Sequence, residues 1–174
     1  MAVHQIIEIP DPRLRVISTP VEAVDDDVRA LIDDMLDSMY AARGIGLAAV
    51  QIGMPKRILV IDLQEEDDDG KAIRAPQIFI NPEIVTADAD VSIYNEGCLS
   101  VPDQYAEVER PAACRVRWLD ENGKAHDERL EGLIGTCIQH EMDHLEGIIF
   151  IDHLSRLKRE MVLKKLAKAR KTAA

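Results

Sequence analysis

The stretch QHEMDH, residues 139–144, carries two histidines and a glutamate that could bind and use a metal ion. Four residues apart on a helix, His140 and His144 stack their imidazoles one above the other and can share a cation. Glu141 stands beside them, able to reach a water on that cation without being a ligand. This H-E-x-x-H arrangement occurs in metal hydrolases, where the metal acidifies water and the carboxylate moves protons. The plain alternative is a polar helix face with two solvated histidines.

A catalytic metal usually takes three protein ligands and leaves a position for water. Cys137 precedes His140 by three residues, but an ion between the histidines would sit roughly 7–8 Å along the helix axis from its Cα. A cysteine reaches a metal only about 4–5 Å from its Cα, so Cys137 reads as a small residue lining the site. A longer protease pattern would place a third histidine where Phe150 stands, and another would use a glutamate on a later helix, where Glu160 lies in a basic tail. Nothing fixes the approach of His153. Cys98, in NEGCLS, is the best-placed remaining donor: it follows a strand between Gly97 and Leu99, where backbone can come close to an ion. Its plain alternative is a buried thiol at a strand end.

The elements that must position these residues follow from periodicity. Val28, Leu31, Ile32, Met35 and Met39 recur at helical spacing over 25–43, behind an acidic first turn and ahead of a stop at Gly44. Residues 44–53, GIGLAAVQIG, begin too rich in glycine for a helix interior. Strands are expected at 57–63, 77–85, 90–100 and 105–109, and a hairpin over 114–132 turning at Asn122-Gly123 with Val116 and Trp118 inward. A helix over 133–147 closes at Gly147, and an amphipathic helix over 155–171 has Ser155 as its N-cap. The expected fold class is α+β: antiparallel strands around a central H-E-x-x-H helix, with an N-terminal helix and a C-terminal amphipathic helix. No repeat, linker or break in composition divides residues 1–174 into more than one domain.

Composition narrows the function classes. No apolar run approaches the ~18 residues needed to span a bilayer, and the N-terminus has no signal-peptide pattern. Cys98, Cys114 and Cys137 show no disulfide-like spacing, which suits a reducing cytosol. A net charge of −11 argues against general nucleic-acid binding, yet residues 156–171 hold eight Lys/Arg against one Glu. That basic tail either packs Leu157, Met161, Val162 and Leu166 on the body with its cations solvated, or docks on RNA.

Three stretches together, GIGLAAVQ (44–51), EGCLS (96–100) and QHEMDH (139–144), resemble in order and interval the signature motifs of the bacterial-type peptide deformylases. The resemblance covers nearly the whole chain, including NPEI (81–84), HLEG (144–147) and FIDHLSRLK (150–158). It implies an enzyme that removes the N-formyl group from the formylmethionine of new proteins. Cys98, His140 and His144 would hold the metal, and Glu141 would take a proton from water and pass it to the departing amine. Gln51, by its amide, and Leu99, by its backbone N–H, would hydrogen-bond the formyl oxygen as it gains charge.

The resemblance also implies peptide contacts from Ile45, Gly46 and Gly97, in keeping with the ability of glycine-rich backbone to pair with a peptide strand-fashion. Without the other motifs, GIG would read as a helix stop and a turn. Ile45, Tyr94, Leu99, Cys137 and His140 are candidates to line a methionine slot. Tyr105 stands where many family members carry arginine, and Tyr94 where a smaller aliphatic is common; both departures bear on peptide selectivity beyond methionine. Asp143 and Arg110 would pair behind the metal. Two imidazoles and a thiolate suit zinc, whereas the resemblance implies Fe(II) as the native metal, with nickel or cobalt as substitutes. A cytoplasmic monomer acting on N-formylmethionyl nascent peptides is expected, with the tail helix a candidate for docking on the ribosome.

Overall fold

The computed structural model describes residues 2–173. Helix α1 spans Asp26–Ala41, capped by the Asp25 carboxylate, which accepts the Val28 N–H at 2.9 Å. Seven strands follow, interrupted after the first by a 3₁₀ turn at Ala49–Ile52: β1 Gly46–Ala48, β2 Ile58–Ile61, β3 Gln77–Ala87, β4 Val91–Cys98, β5 Val101–Pro111, β6 Ala113–Leu119 and β7 Ala125–Glu131. Helix α2 spans Gly132–Leu145, a 3₁₀ turn Phe150–His153, and helix α3 Arg156–Ala173. Among the described residues no helix is long and apolar enough to cross a membrane.

The five strands β1-β2-β3-β6-β7 form one antiparallel sheet, and β4-β5 form a separate antiparallel pair. Side chains alternate across a strand, so β2 serves two cores. Ile58 and Val60 face α1, among Ile32, Met35, Met39 and Leu47, while Leu59 and Ile61 face α2, among Ile138, Leu145, Phe79 and Val116. The sheet is thus covered by α1 on one face and by α2 on the other. A third cluster joins Val101 and Val108 of β5 to Ile149–Ile151 and to Val162 and Leu166 of α3.

Four local features differ from the sequence reading. The helix ends two residues short of the expected 43: α1 ends at Ala41, and Arg43 takes the left-handed conformation (φ 59°). Gly44 is instead a packing glycine, since a Cβ on it would stand 2.6 Å from Leu99 Cδ1. On α3, Val162 and Leu166 are buried, but Leu157 (69% exposed) and Met161 (49%) face solvent. Val162 and Leu166 make one i,i+4 stripe, and Leu157 and Met161 lie on a neighbouring stripe turned about 100° away. The strand at 46–48 and the start of β5 at Val101 were not expected either, because three-residue strands and bulged ones show no clean alternation.

Candidate metal and catalytic centre

Helix α2 presents His140 and His144 from one face, buried, with ring centroids 5.2 Å apart. Cys98 arrives from the end of β4. There the β4-β5 register breaks between Gly97, opposite Tyr105, and Cys98, opposite Val101. The extra residues of this irregularity, 102–104, lie on β5, so β4 keeps its alternation and carries Cys98 on the same face as Glu96, toward the helix. Cys98 Sγ lies 3.3 Å from His144 Nε2, and one donor atom from each of Cys98, His140 and His144 falls within 4.8 Å of the others.

The second nitrogen of His140 fixes its tautomer. Nδ1 donates to Glu96 Oε1 at 2.9 Å, and a carboxylate can only accept, so the Nε2 lone pair is left for a cation. Glu96 also takes two hydrogen bonds from Arg110, at 2.7 and 2.9 Å. Arg110 donates in turn to Asp143 at 2.8 Å, and His153 reaches the same Asp143 oxygen at 2.7 Å. Burial works against the charge on Glu96, but the hydrogen bonds from His140 and Arg110 prevail and keep its carboxyl below the usual range. A carboxylate–histidine pair behind two imidazoles and a thiol is a donor set that fits a divalent cation.

Glu141 is 5% exposed, with Oε1 3.9 Å from His140 Nε2. Its Oε2 is buried and has no hydrogen-bond partner among the described residues. Burial pushes its carboxyl up to about 7, and His140 pulls the other way. A carboxyl so poised can exchange a proton near neutral pH.

Gln51 sits in the 3₁₀ turn after β1, fully buried. Its Oε1 accepts the Ala48 N–H at 2.9 Å, so its amino group must face the other way, toward Ser100 Oγ at 3.0 Å and Cys98 Sγ at 3.7 Å. A donor is therefore held beside the thiol in fixed orientation.

A cavity of about 760 Å³ opens onto these groups. Ile45, Gly46, Gln51, Tyr94, Gly97, Cys98, Leu99, Tyr105, Cys137, His140 and Glu141 all line it, and His144 lies behind, fully buried. Cys137 takes no place in the three-donor group; burial pushes its thiol up to about 12, so it presents a neutral, weakly polar wall.

The other positions considered for a third donor hold residues engaged elsewhere. Phe150 stacks on His140 at 6.2 Å, His153 bonds Asp143, and Glu160 pairs with Arg156 on α3. Glu96 and Ser100 escaped the sequence reading. Glu96 shares a strand face with Cys98 at i,i+2, a signal that could have placed it beside the ligands. Ser100 carried no comparable signal, because only the turn after Cys98 folds it against Gln51.

The family model for polypeptide deformylase matches residues 3–160. This chain belongs to the polypeptide deformylase family. The peptide deformylase of Rhizorhabdus wittichii is 71% identical over 172 residues, covering 98% of this chain and 97% of that protein. That of Zymomonas mobilis is 61% identical over 171 residues, covering 98% and 97%. Among solved structures, the peptide deformylase of Legionella pneumophila superposes with a TM-score of 0.89 at 43% identity, covering 99% and 98%. The Ehrlichia chaffeensis peptide deformylase in complex with actinonin gives 0.89 at 41%, covering 97% and 98%. The family is one of metal-dependent enzymes, and Cys98, His140 and His144 form a possible metal-binding group in this member of it.

Proposed function

We propose that this chain, as one catalytic domain over residues 1–174, removes the N-formyl group from the N-terminal formylmethionine of newly synthesised proteins and releases formate. The observation that supports this reading most directly is the convergence of Cys98, His140 and, just behind them, His144 with the Gln51 amide and the Glu141 carboxyl at the cavity wall. Cys98, His140 and His144 hold a divalent cation, which when bound supplies Lewis acidity toward water and the amide carbonyl. Glu141 takes a proton from the attacking water and hands it to the leaving nitrogen. The water oxygen bonds to the formyl carbon, the C–N bond breaks, and formate and a free α-amine result. Gln51 Nε2 and the Leu99 backbone N–H donate to the formyl oxygen as it gains charge.

Ile45, Gly46 and Gly97 pair with the peptide main chain, and Tyr94 and Cys137 line the methionine slot. Fe(II) is the native cation in this reading, with zinc, nickel or cobalt able to replace it in purified protein. The protein works as a monomer in the cytoplasm, where formylated chains emerge. The exposed cations of α3 dock on ribosomal RNA. Replacing the exposed Lys164, Lys165, Lys168 and Lys171 with glutamate, which leaves the buried Val162 and Leu166 in place, then weakens ribosome binding and spares turnover of short formyl peptides; equal ribosome binding by that variant would rule docking out.

Formate release from formyl-Met-Ala tests the activity, with protein purified anaerobically and loaded with Fe(II) or Ni(II), beside Glu141→Ala. Turnover that vanishes in the variant while the metal stays bound supports both reaction and base. Absence of formate from a folded, metal-loaded parent overturns the reading.

A further inference from the structure

The wall formed by Gly44–Gly46 is held from outside the catalytic centre. It runs between Leu99 and Glu141: a Cβ on Gly44 would meet Leu99 Cδ1 at 2.6 Å, and one on Gly46 would meet Glu141 Oε1 at 2.7 Å. Two consecutive carbonyls of this wall are bound by residues just past β2. The Asp62 N–H donates to Ile45 O at 2.8 Å, continuing the β1-β2 ladder. Gln64 Nε2 donates to Gly44 O at 3.1 Å, a side-chain bond that no ladder requires.

Gln64 is built into this position. Its backbone is left-handed (φ 52°), which residues with a Cβ rarely adopt without support. The support is Asp62, 2% exposed, whose Oδ1 accepts the Gln64 N–H at 2.9 Å. The other Asp62 oxygen accepts from Tyr40 Oη on α1 at 2.5 Å and from the Ala75 N–H at 3.0 Å, and the Arg74 guanidinium lies over the Tyr40 ring at 4.1 Å. One buried carboxylate therefore ties α1, the end of β2 and both ends of the 64–75 loop together, and Gln64 extends that knot to the cavity wall.

We infer that Gln64 is a positioning residue for peptide binding: its amide holds the Gly44 carbonyl, and so sets how Gly44–Gly46 offers its main chain to a peptide in the cavity. The inference rests on the deformylase reading of that cavity. Among the described residues no hydrogen bond joins Gln64 to Cys98, His140, His144, Glu141 or Gln51, and Gln64 does not line the cavity, so its loss weakens peptide binding and leaves the chemical step intact.

The test compares Gln64→Met, which keeps length and loses the donor, with Gln64→Lys, which restores a donor on a similar stem. With formyl-Met-Ala-Ser as substrate, Gln64→Met raises KM roughly threefold to tenfold, the worth of one hydrogen bond, with kcat within about twofold, and Gln64→Lys recovers most of the loss. A KM in Gln64→Met equal to the parent's overturns the inference, as does an equal loss in both variants. Backbone amide exchange over residues 44–47 gives a reading independent of turnover. Exchange roughly threefold or more faster in Gln64→Met than in the parent upholds the clamp even if the parent releases no formate, and unchanged exchange removes it.

Discussion

Gly46 and Glu141 touch with no room between them: a Cβ on Gly46 would stand 2.7 Å from Glu141 Oε1 and 3.2 Å from its Cδ and Cγ. Neither backbone can easily retreat, so the side chain of Glu141 must give. Gly46 is paired with Ile61 across β1-β2, and α2 is seated by Ile138 and Leu145 against Leu59 and Ile61. Gly46→Ala therefore displaces the carboxylate rather than the strand. A displacement of about 1 Å at a catalytic group can cost roughly 10²-fold in rate, so kcat for a formyl peptide falls by about that factor. Metal content and thermal midpoint stay close to the parent's. Unchanged kcat would show that Glu141 has slack that the packing does not suggest.

What was legible in the sequence was what repeats. The 3.6-residue spacing put His140 and His144 on one face of α2, and alternation put Val116 and Trp118 inward on β6, as the structure has them. Asn122-Gly123 marked the β6-β7 turn, where Gly123 has φ 78° and its N–H donates to Asp120 O at 2.9 Å. What escaped was set by tertiary contact. Gly44 looks like a helix stop until Leu99 is folded against it, and Leu157 looks like core until α3 chooses which stripe to bury. Glu96 looks like one more acid in an acidic chain until β4 brings it under His140. Composition could not show that Gln64 reaches back twenty residues to Gly44, because that bond exists only in the folded chain.

Glu96 tunes the centre through His140 and shares its charge with Arg110. Glu96→Gln removes that charge while keeping the shape, and second-contact changes of this kind typically cost 10–100-fold in metal affinity. Chelator competition on the variant is expected to show a loss of about that size. Arg110→Leu leaves the buried Glu96 without its cation and lowers stability by about 3–5 kcal/mol in urea unfolding. A Glu96→Gln protein that holds metal as tightly as the parent would mean that His140 is oriented by packing alone.

Asp152 gives the fold an acid-sensitive joint. Burial opposes its charge, but Arg15 (N···O 2.5 Å) and the Ile149 N–H (3.0 Å) outweigh it and hold the carboxyl below its ordinary range. A carboxyl lowered in the folded state stabilises the protein above its unfolded value, about 3.9, and loses that contribution as pH falls through the folded value. Asp152→Asn should therefore cost about 1 kcal/mol at pH 7, and the difference from the parent should shrink as pH drops below about 4. Urea midpoints of the two proteins across pH 3–7 check this, and a pH-independent difference would leave the charge without a role.

The tail helix separates anchoring from exposure, and paired substitutions can read the difference. Leu166 (3% exposed) lies with Val162 against the cluster of Val101, Val108 and Phe150, and Arg170 fixes the far turn by donating to Ile9 O at 2.6 Å. Leu166→Ala opens a cavity there and lowers stability by about 2–4 kcal/mol. Leu157, 69% exposed, packs on nothing comparable, and Leu157→Ala stays within about 0.5 kcal/mol. Urea unfolding of both variants distinguishes the two faces. If Leu157→Ala also proved costly, its side chain would have to be covered in solution, and α3 would be seated on both stripes rather than on the Val162–Leu166 stripe alone.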